Sequence, residues 1–188
     1  MTPENLPFGF TITAAMQADV PKLVSIDRAA STLFEPTGLI HSDALDDTVP
    51  ADVLEQALAV GHVFVAREQG GEPVGFTLTS QRDNTLYLDQ VSVHPDFGQR
   101  GIGRALVIRI LNDAEDRRLP DVTLSTFRDL PWNGPFYASL GFKEIPRGKL
   151  SPFMFEIEEA QSPFMNIEAR CFMRRKVRRP LFRFKHTA

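Results

Sequence analysis

Three stretches of this chain combine residue types and spacings that suit chemistry. In the first, His94-Pro-Asp-Phe-Gly98-Gln-Arg-Gly101-Ile-Gly103-Arg104, glycines stand at 98, 101 and 103, just ahead of a helical pattern. The first turn of a helix exposes unpaired N–H groups at the positive end of its dipole. The glycines let the backbone bend those groups toward one point, and Arg100 and Arg104 bring positive charge. Such a nest binds anions, most naturally phosphates. In the second stretch, Asn133-Gly-Pro-Phe-Tyr137, an amide and a phenol frame a short helix. In the third, Asp89 lies on an alternating run with Val91 and Val93, and equal parity predicts that all three side chains share one face.

The glycine run is not a standard nucleotide loop. Gly98 to Gly103 has the spacing of a Walker loop, but Arg104 and Ala105 stand where its lysine and hydroxyl are needed. A dinucleotide fingerprint starting at Gly101 would need a third small residue at Leu106, and it would normally open a fold rather than sit mid-chain.

The surrounding elements must position these residues. Residues 8–15 alternate weakly and predict a first strand. Asp19 is placed to cap a helix that begins at Val20-Pro21 and carries Leu23, Ile26 and Ala30 on one side. Residues 35–50, rich in Asp, Pro and Gly, predict a mobile surface loop before a short helix from Pro50 to Ala59. Residues 62–67, 73–79 and 85–93 are strand-like and joined by turns, which predicts a three-strand meander. Gly101–Arg118 carries Ile102, Ala105, Leu106, Ile110 and Ala114 at helical spacing. A strand at 122–127, a short helix near 135–140, a strand from Phe142, a helix capped by Ser151-Pro152 and a strand at 168–177 complete the order. With no repeat and no linker, residues 1–188 are expected to form one mixed α/β domain, with residues 180–188 a basic tail.

Composition narrows the function classes. No apolar run is long enough to span a bilayer, so no membrane partner is expected. MTPENLPFGF lacks the basic and apolar regions of an export signal, and the single Cys171 cannot form an internal disulfide. A cytoplasmic protein is expected. His41, His62, His94 and His186 show no ligand spacing, so no metal site is expected. Residues 170–188 hold eight Lys or Arg and no acid, against a net charge of −3 for the whole chain. A basic end can bind nucleic acid, but the acidic body argues against that partner.

The run V-S-V-H-P-D-F-G-Q-R-G-I-G-R-A-L resembles the acyl-CoA signature of the GCN5-related N-acetyltransferases, the GNAT family. There a Q/R-x-x-G-x-G/A pattern follows a central strand and opens a long helix. Gly101 and Gly103 match, while Gly98 replaces the expected Gln or Arg and removes one side chain. Asn133-Gly-Pro-Phe-Tyr137-Ala-Ser-Leu-Gly-Phe142 resembles the family's later segment. The motifs lie within residues 89–142, and the architecture matches over roughly 8–145.

The resemblance implies a GNAT-like fold: a twisted mixed sheet of about seven strands flanked by helices, with a splay between two parallel strands, here 85–93 and 122–127. It implies acetyl-CoA as acyl donor, with the main chain of Val91, Ser92 and Val93 along the pantetheine arm. The pyrophosphate would rest at Gly98, Gln99, Arg100, Gly101, Ile102, Gly103 and Arg104. Tyr137 corresponds to the tyrosine that serves as general acid toward sulfur. Asn133 either bonds the cofactor or caps a helix. Asp89 is the candidate base, with Asp129 and Glu35 behind it. Phe34, the 35–50 loop and Trp132 would wall the acceptor site. The implied acceptor is an amine on a small molecule or peptide, and homodimers in the family make a second copy a candidate partner. The alternative is a non-catalytic acyl-CoA sensor on the same fold.

Overall fold

A computed structural model describes residues 6–177; the basic tail at 180–188 lies outside the described residues. The chain order is β1 (Thr11–Ala14), α1 (Val20–Ser31), α2 (Ala51–Ala59), β2 (Val63–Arg67), β3 (Pro73–Arg82), β4 (Thr85–Val93), α3 (Ile102–Asp116), β5 (Asp121–Phe127), α4 (Gly134–Ser139), β6 (Lys143–Glu144), α5 (Pro152–Gln161) and β7 (Arg170–Lys176). The strands form one seven-stranded sheet in the order β1-β2-β3-β4-β5-β7-β6. Only β4 and β5 pair in parallel. The expected mixed sheet and the β2–β3–β4 meander are both present.

Each face of the sheet is covered by a different set of helices. The apolar stripe of α3, including Val107, Ile110 and Ala114, packs with Leu86, Leu88, Val122 and Leu124. On the opposite face, Leu23 and Ile26 of α1 and Leu54 of α2 meet Val63, Val65 and Phe76. Further along that face, Met154 of α5 packs with Tyr87 and Phe172. Burial on this scale stabilises by about 25 cal/mol per Å² of apolar surface removed from water. The helices therefore need no strong intrinsic propensity to hold their places.

Two sequence expectations change here. Asp19 precedes α1, but its carboxylate does not cap that helix. It accepts the Met16 N–H at 2.7 Å and a two-pronged contact from Arg67, at 2.6 and 3.0 Å. The pair ties the α1 entry to strand β2. The 35–50 segment is not a free loop. His41 donates its N–H to the Phe164 carbonyl at 2.8 Å, and Asn166 donates to the Leu39 carbonyl at 2.8 Å. An antiparallel bridge, Ile40 to Met165, results and pins this segment to the exit of α5. Sequence patterning misses such a bridge because its partner lies more than a hundred residues away.

Both side chains of the Asp19–Arg67 pair are about nine-tenths buried, so removing one leaves a charge without its partner. Burial alone would raise the Asp19 pKa, but the Arg67 and Met16 hydrogen bonds outweigh it and hold it below 3.8. The pair's contribution is thus complete above that value and disappears as pH falls through the lower, folded-state value. Asp19→Asn should cost about 3 kcal/mol in urea unfolding at pH 7. The difference between variant and parent should shrink as pH falls below 3.8.

Candidate active site

The site begins where β4 and β5 stop pairing. Their parallel ladder covers Leu86 with Val122, Tyr87 with Thr123 and Leu88 with Leu124, and then ends. Beyond it, β4 remains paired only with β3. The His94 N–H reaches the Val74 carbonyl at 2.9 Å, and along an antiparallel strand such bonds fall on alternate residues. The main-chain groups of Val91 and Val93 therefore point toward the splay, as the resemblance implies. Ser92 is different. Its hydroxyl is buried and donates to Asp27 at 2.6 Å, so its side chain braces the strand.

The divergence coincides with a β-bulge. Leu78 pairs with Gln90 and Thr79 with Leu88, which leaves Asp89 as the extra residue. The bulge overturns the parity expectation. Leu88 packs beneath α3, and after the extra residue Val91 returns to that face. Asp89 instead turns toward the α1–α2 side, between the main cavity and a smaller cleft lined by Val53, Ala57, His62 and Arg82. Loss of solvation raises its pKa to about 6, against the opposing pull of the Ser80 hydrogen bond and the Arg82 cation.

The main cavity, about 860 Å³, runs through the splay from one face of the sheet to the other. At its α3 end, the first intrahelical bond is Ala105 N–H to the Gly101 carbonyl, at 3.0 Å. The amides of Ile102, Gly103 and Arg104 are therefore left unpaired by the helix. Gly101 is in the left-handed region, with φ 84°, where a side chain would be strained. These donors at a dipole's positive end suit the diphosphate of coenzyme A. Gly98, Gln99, Gly101, Ile102, Gly103 and Arg104 all line the cavity.

Two residues of the loop act differently from expectation. The Gly98 N–H is already spent on the Pro95 carbonyl, at 2.9 Å. Arg100 folds back, donating to the Asp96 carbonyl at 3.0 Å with its guanidinium over Phe97, so it supplies no mobile charge to the nest. Of the two arginines, Arg104 lines the cavity.

At the middle of the cavity stands Tyr137, on α4. Its ring packs edge-on to Phe136 and Phe142. Burial raises its pKa to about 12, with Arg170 opposing, so the phenol keeps its proton at neutral pH. Asn133 neither caps α4 nor leaves its oxygen free. Oδ1 accepts the Thr126 hydroxyl at 2.8 Å and fastens α4 to the end of β5. Gly134 is required by close approach, because a Cβ there would collide with the Arg128 carbonyl oxygen.

The opposite end is aromatic. Phe34 packs against Phe127 and Trp132, with ring centroids 5.7 and 6.4 Å away, and Phe164 completes the wall. Phe34, Trp132 and part of the 35–50 segment thus stand where the acceptor wall was expected. Glu35 and Asp129 do not line the cavity. Sequence reasoning missed three residues. Asp27 accepts from Val49 N–H, Gln90 and Ser92, joining α1, the 35–50 segment and β4. Gln161 and Arg170 also line the cavity. In the sequence, Arg170 stands out only as part of a basic end.

A model of the "Acetyltransferase (GNAT) domain" family matches residues 59–144, which contain the splay, the glycine nest and Tyr137. Over that segment the chain is similar to the GNAT acetyltransferase family. A curated relative, mycothiol acetyltransferase from Tsukamurella paurometabola, is 30% identical over 150 residues, 76% of this chain and 51% of the relative. The chain thus spans about half the length of the curated relative it matches. The PaiA N-acetyltransferase of Thermoplasma acidophilum, solved with coenzyme A, superposes with a TM-score of 0.69 at 13% identity, covering 89% of this chain and 98% of that one. The ribosomal-protein-S18-alanine N-acetyltransferase of Escherichia coli gives a TM-score of 0.63 at 17% identity, over 93% and 97% of the two chains.

The Gly134 contact leaves no room for a side chain at the start of α4. Gly134→Ala must push α4 off β5, breaking the Asn133–Thr126 bond and displacing Tyr137. It should lower the melting temperature by several degrees, in keeping with an overpacking cost of about 1–3 kcal/mol. Scanning calorimetry reads this directly, and an unchanged melting temperature would show that α4 has room to move.

Proposed function

We propose that this chain is an N-acetyltransferase that moves an acetyl group from acetyl-CoA directly to an amine. The observation that carries this reading is the through-going cavity, with unpaired α3 amides at one end and Tyr137 and Asp89 on opposite sides of the splay. The curated relative's name, an acetyltransferase, agrees with it.

The reaction forms an N–C bond and breaks a C–S bond, and two protons must be managed. The acceptor must first lose one to become a neutral amine. Asp89, with its pKa near 6, is ionised at neutral pH and serves as the base, directly or through water. As the amine attacks, negative charge builds on the thioester oxygen. The splay-facing N–H groups of Val91 and Val93 are oriented beforehand to stabilise it. The departing thiolate, with a pKa of about 8.5 by analogy with cysteine, takes a proton from Tyr137, and the surplus proton of the attacking nitrogen restores the phenol as the amide forms. The diphosphate is held by the Gln99–Arg104 amides and by Arg104. Cys171, the sole thiol, is buried, which fits a reducing cytoplasmic setting.

Release of free coenzyme A thiol, followed with DTNB across a panel of amines, tests this reading. Tyr137→Phe should lower kcat about 100-fold while calorimetric affinity for coenzyme A stays unchanged. A protein that binds coenzyme A but turns over no amine would be an acyl-CoA sensor instead. The kcat/KM profile should rise as pH climbs through about 6 and then level, and Asp89→Asn should remove that rise. An unaltered profile in the variant would take the base role away from Asp89.

A further inference from the structure

The acceptor end of the cavity holds a cation that the reaction does not use. Arg170 begins β7 and pairs with Phe127, placing it beside the open stretch of β5. Its Nε donates to Ser125 Oγ at 3.1 Å, and its guanidinium lies 4.8 Å from the centre of the Phe127 ring. One edge and one face are thereby fixed. Among the described residues, no Asp or Glu forms an ion pair with it. Its electrostatic neighbours are Tyr87, Tyr137 and Cys171, and burial pulls its pKa below the usual value. A partly buried guanidinium without a counter-charge is unfavourable unless something compensates it.

Coenzyme A's diphosphate does not answer this need. Arg170 has the strand parity of Phe172, which packs with α5, and so lies on the face of the sheet away from α3 and its nest. The rest of this chamber is laid out by charge. Asp27, Asp47 and Asp89 line it from the α1 and β4 side, and Arg170 lines it from β7. Gln161 lines it as well, its Oε1 buried without a hydrogen-bond partner. Phe34, Phe127 and Trp132 supply apolar surface between.

We propose that Arg170 recognises a carboxylate on the acceptor, so that the substrate is an amino-acid-like zwitterion with its amine toward Asp89 and its carboxylate on the Arg170 fork. This rests on the acetyltransferase reading for what happens to the amine, but not for the anion site itself. A guanidinium fixed at Nε keeps its two terminal nitrogens in the plane that suits a two-oxygen anion. A peptide N-terminus, whose first carboxyl is an amide, lacks that group.

The test compares proteinogenic amino acids with their primary amides, using the parent chain, Arg170→Met and Arg170→Lys. Without acetyl-CoA, at least one acid should raise the parent's melting temperature above the value with its amide, and Arg170→Met should abolish that difference. With acetyl-CoA, the parent should favour that acid at least tenfold in kcat/KM, with the preference falling to within twofold in Arg170→Met and partly kept in Arg170→Lys. The KM for acetyl-CoA should not change. Ligand-free Arg170→Met should melt no lower than the parent, since it removes a partly buried cation that has no counter-charge. Amides bound as well as acids, or a preference that survives Arg170→Met, would overturn the proposal. So would a ligand-free drop of more than 5 °C, which would mark Arg170 as structural. If acids bind through Arg170 but no amine is acetylated, the acetyltransferase reading fails and the anion site stands.

Discussion

The parting of β4 from β5 is the constraint on which the rest of this structure depends. Two adjacent parallel strands share three paired positions and then separate, leaving main-chain groups of Val91 and Val93 without a strand partner. Buried peptide groups need hydrogen bonds from somewhere, and here a bound chain of amide character can supply them. The separation also opens the sheet, so a cavity can pass from α3 on one side to α1 and α5 on the other. The bulge at Asp89 belongs to the same event, since an extra residue bends the strand at the point of divergence.

Holding the gap open requires bracing on both sides. On β4 the brace is Asp27, buried on α1, which binds Ser92 and Gln90 and also the Val49 N–H. On β5 it is Asn133, which binds Thr126 and fixes the start of α4. Neither residue reacts in the proposed mechanism, yet each sets where reactive groups stand. The Ile40–Met165 bridge then closes the aromatic end by tying two distant segments together. Catalytic power in such a site comes mostly from groups oriented before the substrate arrives.

Much of this was legible in the residues themselves. The glycine run ahead of an amphipathic helix pointed to the open amides at the entry of α3, because backbone freedom and helix polarity are local properties. The meander and α3 followed from period-2 and period-3.6 patterns. What could not be read were features set by long-range geometry. Asp89 looked cofacial with Val91 because parity counting assumes an unbroken ladder, and the bulge is visible only against β3. The contact of the Arg100 side chain with Asp96 and Phe97 depends on how the loop folds, which residue types alone do not give. Arg170 looked like one charge among many in a basic end, and only pairing with Phe127 carried it into the cavity. The bond from Thr126 to Asn133 was hidden for the same reason, since the two residues meet across a turn.

The most direct measurement is hydrogen–deuterium exchange of backbone amides with and without coenzyme A. The account predicts slowed exchange in two separated patches: residues 99–104, at the entry to α3, and Val91 with Val93, along the open edge of β4. Ser92, already bonded to β3, should change little. Protection confined to other parts of the chain, or none at saturating coenzyme A, would contradict it.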